Sequence, residues 1–163
     1  MPDLEQFIDK SYDYSDIYRA DVTSGIHIHW KCPKCGRKWE SEIRHRLKKY
    51  DEGFKDSKVI CPKHFTENST SSGHLYLTRI KDITLEQRNE IIVKMDERGI
   101  STNVHYKPLP MLTAYKDLGF DIKDYPNAYN LFENEISLPI YSTLSDEEVE
   151  YIIENFLDVL NEY

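Results

Sequence analysis

Residues 135–160 read EISLPIYSTLSDEEVEYIIENFLDVL, and the two ends of this stretch follow different periods. Glu135 to Leu138 alternates polar and apolar side chains, the period of two that marks a strand. After Pro139 and a short polar run, Ser145 stands three residues before Glu148. At that spacing each side chain can accept the other residue's backbone N–H, the capping box of a helix start. Val149, Ile152, Ile153, Phe156, Leu157 and Leu160 then fall on one helical face. Asp146, Glu147 and Glu148 crowd the first turn, where the helix dipole favours anions, so this acidic cluster needs no catalytic explanation. An apolar stripe of that length requires a sheet to cover.

The sequence upstream supplies one. His74 to Ile80 reads as a strand and Thr84 to Arg98 as a helix, opened by the capping pair Thr84 and Gln87 and ended at Gly99, with Ile91, Ile92 and Met95 facing inward. Ile100 to His105 reads as a further strand. The loop Lys107-Pro108-Leu109-Pro110 leads to a short helix ending near Gly119, and Pro126 suits the first turn of another running through Phe132. Strands and helices mixed in this order predict an α+β fold, a small sheet with helices on one face.

The preceding residues differ in kind. TENSTSSG, residues 66–73, is small and polar, which is linker chemistry, and it divides the chain into residues 1–67 and 68–163. The first part holds 13 basic and 12 acidic residues and the second 8 and 17, so a charge boundary coincides with the change of pattern. Asp3 to Lys10 is a short helix candidate. Ile26 to Trp30 and Lys38 to Ile43 read as two strands of a hairpin whose knuckle is Cys32-Pro33-Lys34-Cys35-Gly36, followed by a turn or short helix at Arg44 to Tyr50. No run approaches the ~18 apolar residues of a membrane span. The opening MPDLEQFIDK is polar and acidic, unlike a signal peptide, so the expected location is the cytoplasm, with no membrane partner.

Three cysteines make a poor disulfide framework. Cys32-Pro-Lys-Cys35 and Cys61-Pro-Lys-His64 instead form two half-sites, each offering two ligands across a tight turn. Three thiolates and an imidazole are one of zinc's ordinary tetrahedral sets, and a set of four leaves no open position, so the expected metal is a structural zinc. His27, His29 and His45 are alternative ligands beside the site. The first part would need such a staple, because a domain of this size buries too little to hold itself together.

The runs SSGHLYLTRI (71–80), RGISTNVHYKPLPMLTAYKDLGF (98–120) and DYPNAYNLFENEISLPIYSTLSDEEVEYIIENF (124–156) resemble the C-terminal small domain of the DegT/StrS-type sugar aminotransferases, pyridoxal-phosphate (PLP) enzymes of fold type I. The resemblance implies amino transfer to keto nucleotide sugars on the way to polysaccharides. It also implies that the cofactor pocket and Schiff-base lysine belong to a large N-terminal domain, so PLP is expected only where such a domain or a partner completes the site. Lys81, Lys94, Lys107, Lys116 and Lys123 lack the company a PLP lysine needs. Carried over, His105, Tyr106 and Lys107 border the cleft at its sugar-nucleotide end; the other reading of His105 is a packing residue with a satisfied imidazole. His74 and Tyr76 read as structural. Without a large domain to cover it, the exposed face implies self-association or docking on a full-length aminotransferase.

The runs KSYDYSDI, IHIHWKCPKCGRKWESEIRHRL and CPKH are similar to small zinc-ribbon modules of phage and bacterial proteins that accompany nucleases. That likeness implies an accessory module contacting nucleic acid, with Lys34, Arg37, Lys38, Arg44, Arg46, Lys48 and Lys49 as phosphate contacts. The alternatives stay open: the basic residues also suit a solvated face, and Trp30 and Trp39 suit either base stacking or a small core.

Overall fold

The computed structural model describes residues 27–31, 36, 38–42, 45–64, 66–68, 71, 73–141 and 144–163, with the backbone alone described for 27–31 and 38–42. The Asp3 to Lys10 helix candidate and the Cys32 to Cys35 knuckle lie outside these residues. The chain divides into two compact units, one reaching to Lys49 and including Lys63–Gly73, the other formed by Tyr50–Pro62 and His74–Tyr163.

In the first unit, β1 (His27–Lys31) and β2 (Lys38–Glu42) pair antiparallel, with Trp30 opposite Trp39 and His29 opposite Glu40. Next in the chain comes the helix α1 (His45–Gly53), whose residues from Tyr50 onward belong to the second unit; it is longer than the turn or short helix expected there.

The second unit is built on a three-stranded antiparallel sheet ordered β3 (Val59–Ile60), β4 (Tyr76–Ile80), β5 (Glu135–Leu138). Tyr76 pairs with Leu138 and Arg79 with Glu135. Strand β3 comes from the segment that composition groups with the cysteine-bearing module, yet Val59 pairs with Ile80 in this sheet. Along β4 the buried residues alternate as Tyr76, Thr78 and Ile80, so one face is covered, whereas all four residues of β5 are buried. Thr78 is a polar residue in that core and is satisfied, its Oγ1 donating to the Ile136 carbonyl at 2.6 Å.

Helix α2 (Leu85–Glu97) carries the predicted capping box of Thr84 and Gln87, and α5 (Asp146–Leu160) that of Ser145 and Glu148. Between them lie the one-turn α3 (Thr113–Lys116) and α4 (Pro126–Phe132), the latter with its proline in the first turn. The α5 stripe buries Val149, Ile152, Ile153, Phe156, Val159 and Leu160, while Leu157 is only half-buried, so Val159 takes the place assigned to it. Gly99 ends α2 at φ +73°, a conformation that costs a side chain with a Cβ energy and glycine none.

The aromatic core was not anticipated. Tyr50, in the second half of α1, and Phe54, just after its end, stack at 5.9 Å between ring centroids. Tyr50 meets Tyr76 at 4.6 Å, and Phe54 meets Phe156 edge-on at 5.6 Å. All four rings are essentially fully buried. Truncating a buried aromatic such as Phe156 to alanine costs about 3–5 kcal/mol.

Ile100 to His105 does not form the expected strand. A single bridge joins Asn103 to Ser137 on the free edge of β5. Side chains take over the next backbone partners: Val104 N–H donates to Asn103 Oδ1 at 2.8 Å and His105 N–H to Glu135 Oε2 at 2.9 Å. A second rung of the ladder is thereby replaced by a carboxylate.

Candidate functional site

The bridge at Asn103 brings the 103–107 segment against β5, where Glu135 and Ser137 point away from Ile136 and Leu138 by the strand alternation. Ser137 Oγ donates to Glu135 Oε1 at 2.6 Å, and His105 Nδ1 lies 2.6 Å from the same Ser137 oxygen. Because the serine has one proton and gives it to the carboxylate, Nδ1 is the donor to Ser137. The His105 ring is therefore the Nδ1–H tautomer or the cation, and its Nε2 is turned away from the cluster's hydrogen bonds. Glu135 closes the arrangement by accepting on both oxygens, one bond from Ser137 and one from the His105 backbone. Both Glu135 and Ser137 are buried, whereas the His105 ring is half-exposed.

Tyr106 and Lys107 continue from this fixed point into solvent. Tyr106 is 75% exposed and its ring sits edge-on to His105 at 4.7 Å, and Lys107 is exposed. The structure thus unites His105 with two residues that sequence reasoning missed. The available signal was the polar pair Glu135 and Ser137 at period two in an otherwise apolar strand.

Arg88, on the buried side of α2, donates from Nη1 to the Glu135 carbonyl at 3.1 Å, and its guanidinium lies 4.7 Å from the centre of the Phe132 ring. Burial lowers its affinity for a proton, with the Glu135 charge opposing. A buried arginine so placed holds the start of β5. His74 is exposed and precedes β4, whereas Tyr76 is fully buried.

The described residues do not by themselves fit PLP. Lys81, Lys107, Lys116 and Lys123 are exposed, and Lys94 is engaged by Glu162 at 2.7 Å and by the Tyr163 ring at 4.6 Å. No enclosed lysine is among the five, and no reaction step follows from them.

Of the expected zinc ligands, Cys32 and Cys35 lie outside the described residues. Cys61 follows directly on β3 and is half-buried, and His64 is buried at 4% exposure. Burial, the largest cause, and the charge of Asp51 push the Cys61 thiol upward, while its proximity to the Tyr76 hydroxyl opposes them. Among the described residues no three His, Cys, Asp or Glu side chains gather to hold an ion. The four-residue donor set nevertheless has the composition zinc takes, thiolates with one imidazole. Of the expected phosphate contacts, Lys34, Arg37 and Arg44 lie outside the described residues and so does the Lys38 side chain. Arg46 is buried, Lys49 half-buried and Lys48 exposed.

A three-stranded antiparallel sheet packed against two long capped helices, with the His105 segment on its edge, is the small-domain architecture of fold-type I sugar aminotransferases. The likeness is direct: a Streptococcus pneumoniae protein assigned as a sugar aminotransferase, solved in apo, PMP and PLP forms, superposes with TM-score 0.72 and 53% identity over 73% of this chain and 30% of its own. Residues 37–157 match the DegT/DnrJ/EryC1/StrS aminotransferase family, and the chain belongs to that family. Residues 8–64 match a second model, described as "Probable Treble clef zinc finger domain". The UDP-4-amino-4,6-dideoxy-N-acetyl-beta-L-altrosamine transaminase of Helicobacter pylori is 31% identical over 70% of this chain and 30% of its own length. The spore coat polysaccharide biosynthesis protein SpsC of Bacillus subtilis is 29% identical over 71% of this chain and 34% of its own. The chain spans about a third of the length of these curated relatives. No described helix is long and apolar enough to cross a membrane.

Proposed function

We propose that this chain provides the small-domain part of a PLP-dependent sugar aminotransferase acting on a keto nucleotide sugar, with the cofactor and its lysine supplied by residues outside the segment from 71 onward. The observation that carries this reading is the family match over residues 37–157 together with the Glu135–Ser137–His105 cluster on the edge of β5. In it, Glu135 and Ser137 fix the His105 ring so that Nε2 can hydrogen-bond a ligand, and Tyr106 and Lys107 offer an aromatic face and a cation to the sugar-nucleotide end. PLP supplies amino-group transfer when bound. The chain by itself then lacks transaminase activity. Borohydride trapping of the purified chain with equimolar PLP tests this: no single lysine should carry a stoichiometric pyridoxyl group, and one that did would place the cofactor lysine within this chain.

The exposure of Leu109, Leu118, Phe120 and Leu131, all in the excursion between residue 103 and β5, supports self-association or docking on a complete aminotransferase. The zinc-finger match supports the structural zinc on Cys32, Cys35, Cys61 and His64. It also supports a second reading, zinc-dependent binding of nucleic acid by the first unit, for which Lys48 offers an exposed cation. Salt-dependent DNA or RNA binding that disappears in Cys32→Ser is the result this second reading predicts.

A further inference from the structure

Arg79 stands on β4, the middle strand of the sheet, on the face turned away from the buried Tyr76, Thr78 and Ile80. Its register partner on β5 is Glu135, and that of Leu77 is Ser137, so Arg79 shares a face with Glu135, Ser137 and the His105 ring bonded to them. An arginine directly across from a carboxylate is placed to form an ion pair. Here the carboxylate is already engaged, one oxygen by Ser137 and the other by the His105 N–H. Among the described residues the Arg79 guanidinium makes no hydrogen bond or ion pair. A half-buried guanidinium has given up part of its water, and its planar fork of donors recovers that loss from an acceptor of matching shape, a carboxylate or a phosphate.

We propose that Arg79 is a ligand-binding residue, its guanidinium gripping an oxyanion of the same ligand that hydrogen-bonds His105 Nε2. The proposal rests on the sugar-aminotransferase reading of the chain for the source of that ligand. Arg79 and His105 flank β5 from opposite sides, two strand spacings or about 10 Å apart, so a ligand of nucleotide-sugar size can touch both. The bond from the His105 N–H draws the Glu135 carboxylate toward the free edge of β5, away from β4, and leaves the Arg79 fork to the ligand. Two groups in the proposed reaction carry a fitting oxyanion: the diphosphate of a nucleotide sugar and the carboxylate of an amino-acid donor. Both accept two parallel N–H bonds from arginine.

NMR titration of the full 163-residue chain tests this, with UDP as the diphosphate probe and glutarate as the carboxylate probe. The Arg79 Nε–H signal should shift saturably with at least one of them and stay in place with sodium chloride at equal ionic strength. A response to UDP assigns the site to the nucleotide sugar, and a response to glutarate alone assigns it to the amino donor. Arg79→Gln should weaken binding of the responding probe at least about tenfold, and Arg79→Lys, which keeps the charge and loses the fork, should fall between. A signal that ignores both probes, or moves equally with chloride, overturns the proposal. So does equal affinity in Arg79→Gln. If that variant does not fold, the Arg79 signal of the wild-type chain decides alone. The measurement needs neither PLP nor activity, so its failure is distinct from that of the aminotransferase reading: a chain that supports transamination once joined to a large domain, yet holds no oxyanion at Arg79, overturns this proposal only.

Discussion

Ser137 Oγ stands 2.6 Å from Glu135 Oε1 and 2.6 Å from His105 Nδ1, so one hydroxyl joins a buried carboxylate to a half-exposed imidazole. Ser137→Ala removes the joint and leaves a carboxylate oxygen and a ring nitrogen without their partner. The expected loss is about 1–3 kcal/mol of unfolding free energy, read by urea denaturation, with the His105 ring losing its single orientation by NMR.

Glu135→Gln is the finer test of the same cluster. The carboxylate accepts on both oxygens, from Ser137 and from the His105 N–H, whereas an amide has one acceptor oxygen and places a donor where the other stood. The near-isosteric change should therefore cost at least about 1 kcal/mol, and a neutral result in denaturation would contradict the described geometry.

Gly53 marks a close approach of α1 to α5. A Cβ there would meet Ile153 Cδ1 at 2.7 Å and Cγ2 at 2.8 Å. Alanine normally gains about 1 kcal/mol over glycine within a helix, but crowding in a packed core costs about 1–3 kcal/mol, and the second term should win because Cγ2 is held on a branched carbon. Gly53→Ala is expected to lower the melting temperature. A double-mutant cycle with Ile153→Ala should show a favourable coupling of about 1 kcal/mol or more.

Tyr50 supplies a pH dependence with a definite sign. Burial first, and the charge of Tyr141 second, raise its proton affinity well above the ordinary value of 10.0. The folded chain then holds this proton more tightly than the unfolded chain does. The contribution is complete below pH 10 and is lost as pH rises beyond it. Urea midpoints should fall above that pH, and Tyr50→Phe should flatten the fall, at a cost of about 1 kcal/mol at neutral pH for the lost bond to Pro139.

The local signals were the most legible. Thr84 with Gln87 and Ser145 with Glu148 announce helix starts because capping is a contact between residues three apart, and Glu135 to Leu138 announces a strand by its alternation. Contacts set by distant residues were hidden. Tyr50 and Phe54 follow a basic, cysteine-bearing stretch, and nothing local shows that their rings meet Tyr76 and Phe156. The Ile100 to His105 stretch has the composition of a strand, yet Glu135 captures its backbone after a single bridge. His105 was legible as a candidate through family likeness; its partners Glu135 and Ser137 were not, since that pairing depends on the register of β5 against Asn103.

The central claim, that residues 71 onward serve as the small domain of a sugar aminotransferase, is tested most directly by exchange. The matching segment of the Helicobacter pylori transaminase is replaced by this one, and that enzyme's own transaminase activity is measured in the folded, PLP-loaded chimera. The account predicts activity that falls sharply when His105→Ala is added, while a folded chimera that binds PLP and transfers no amino group would contradict it.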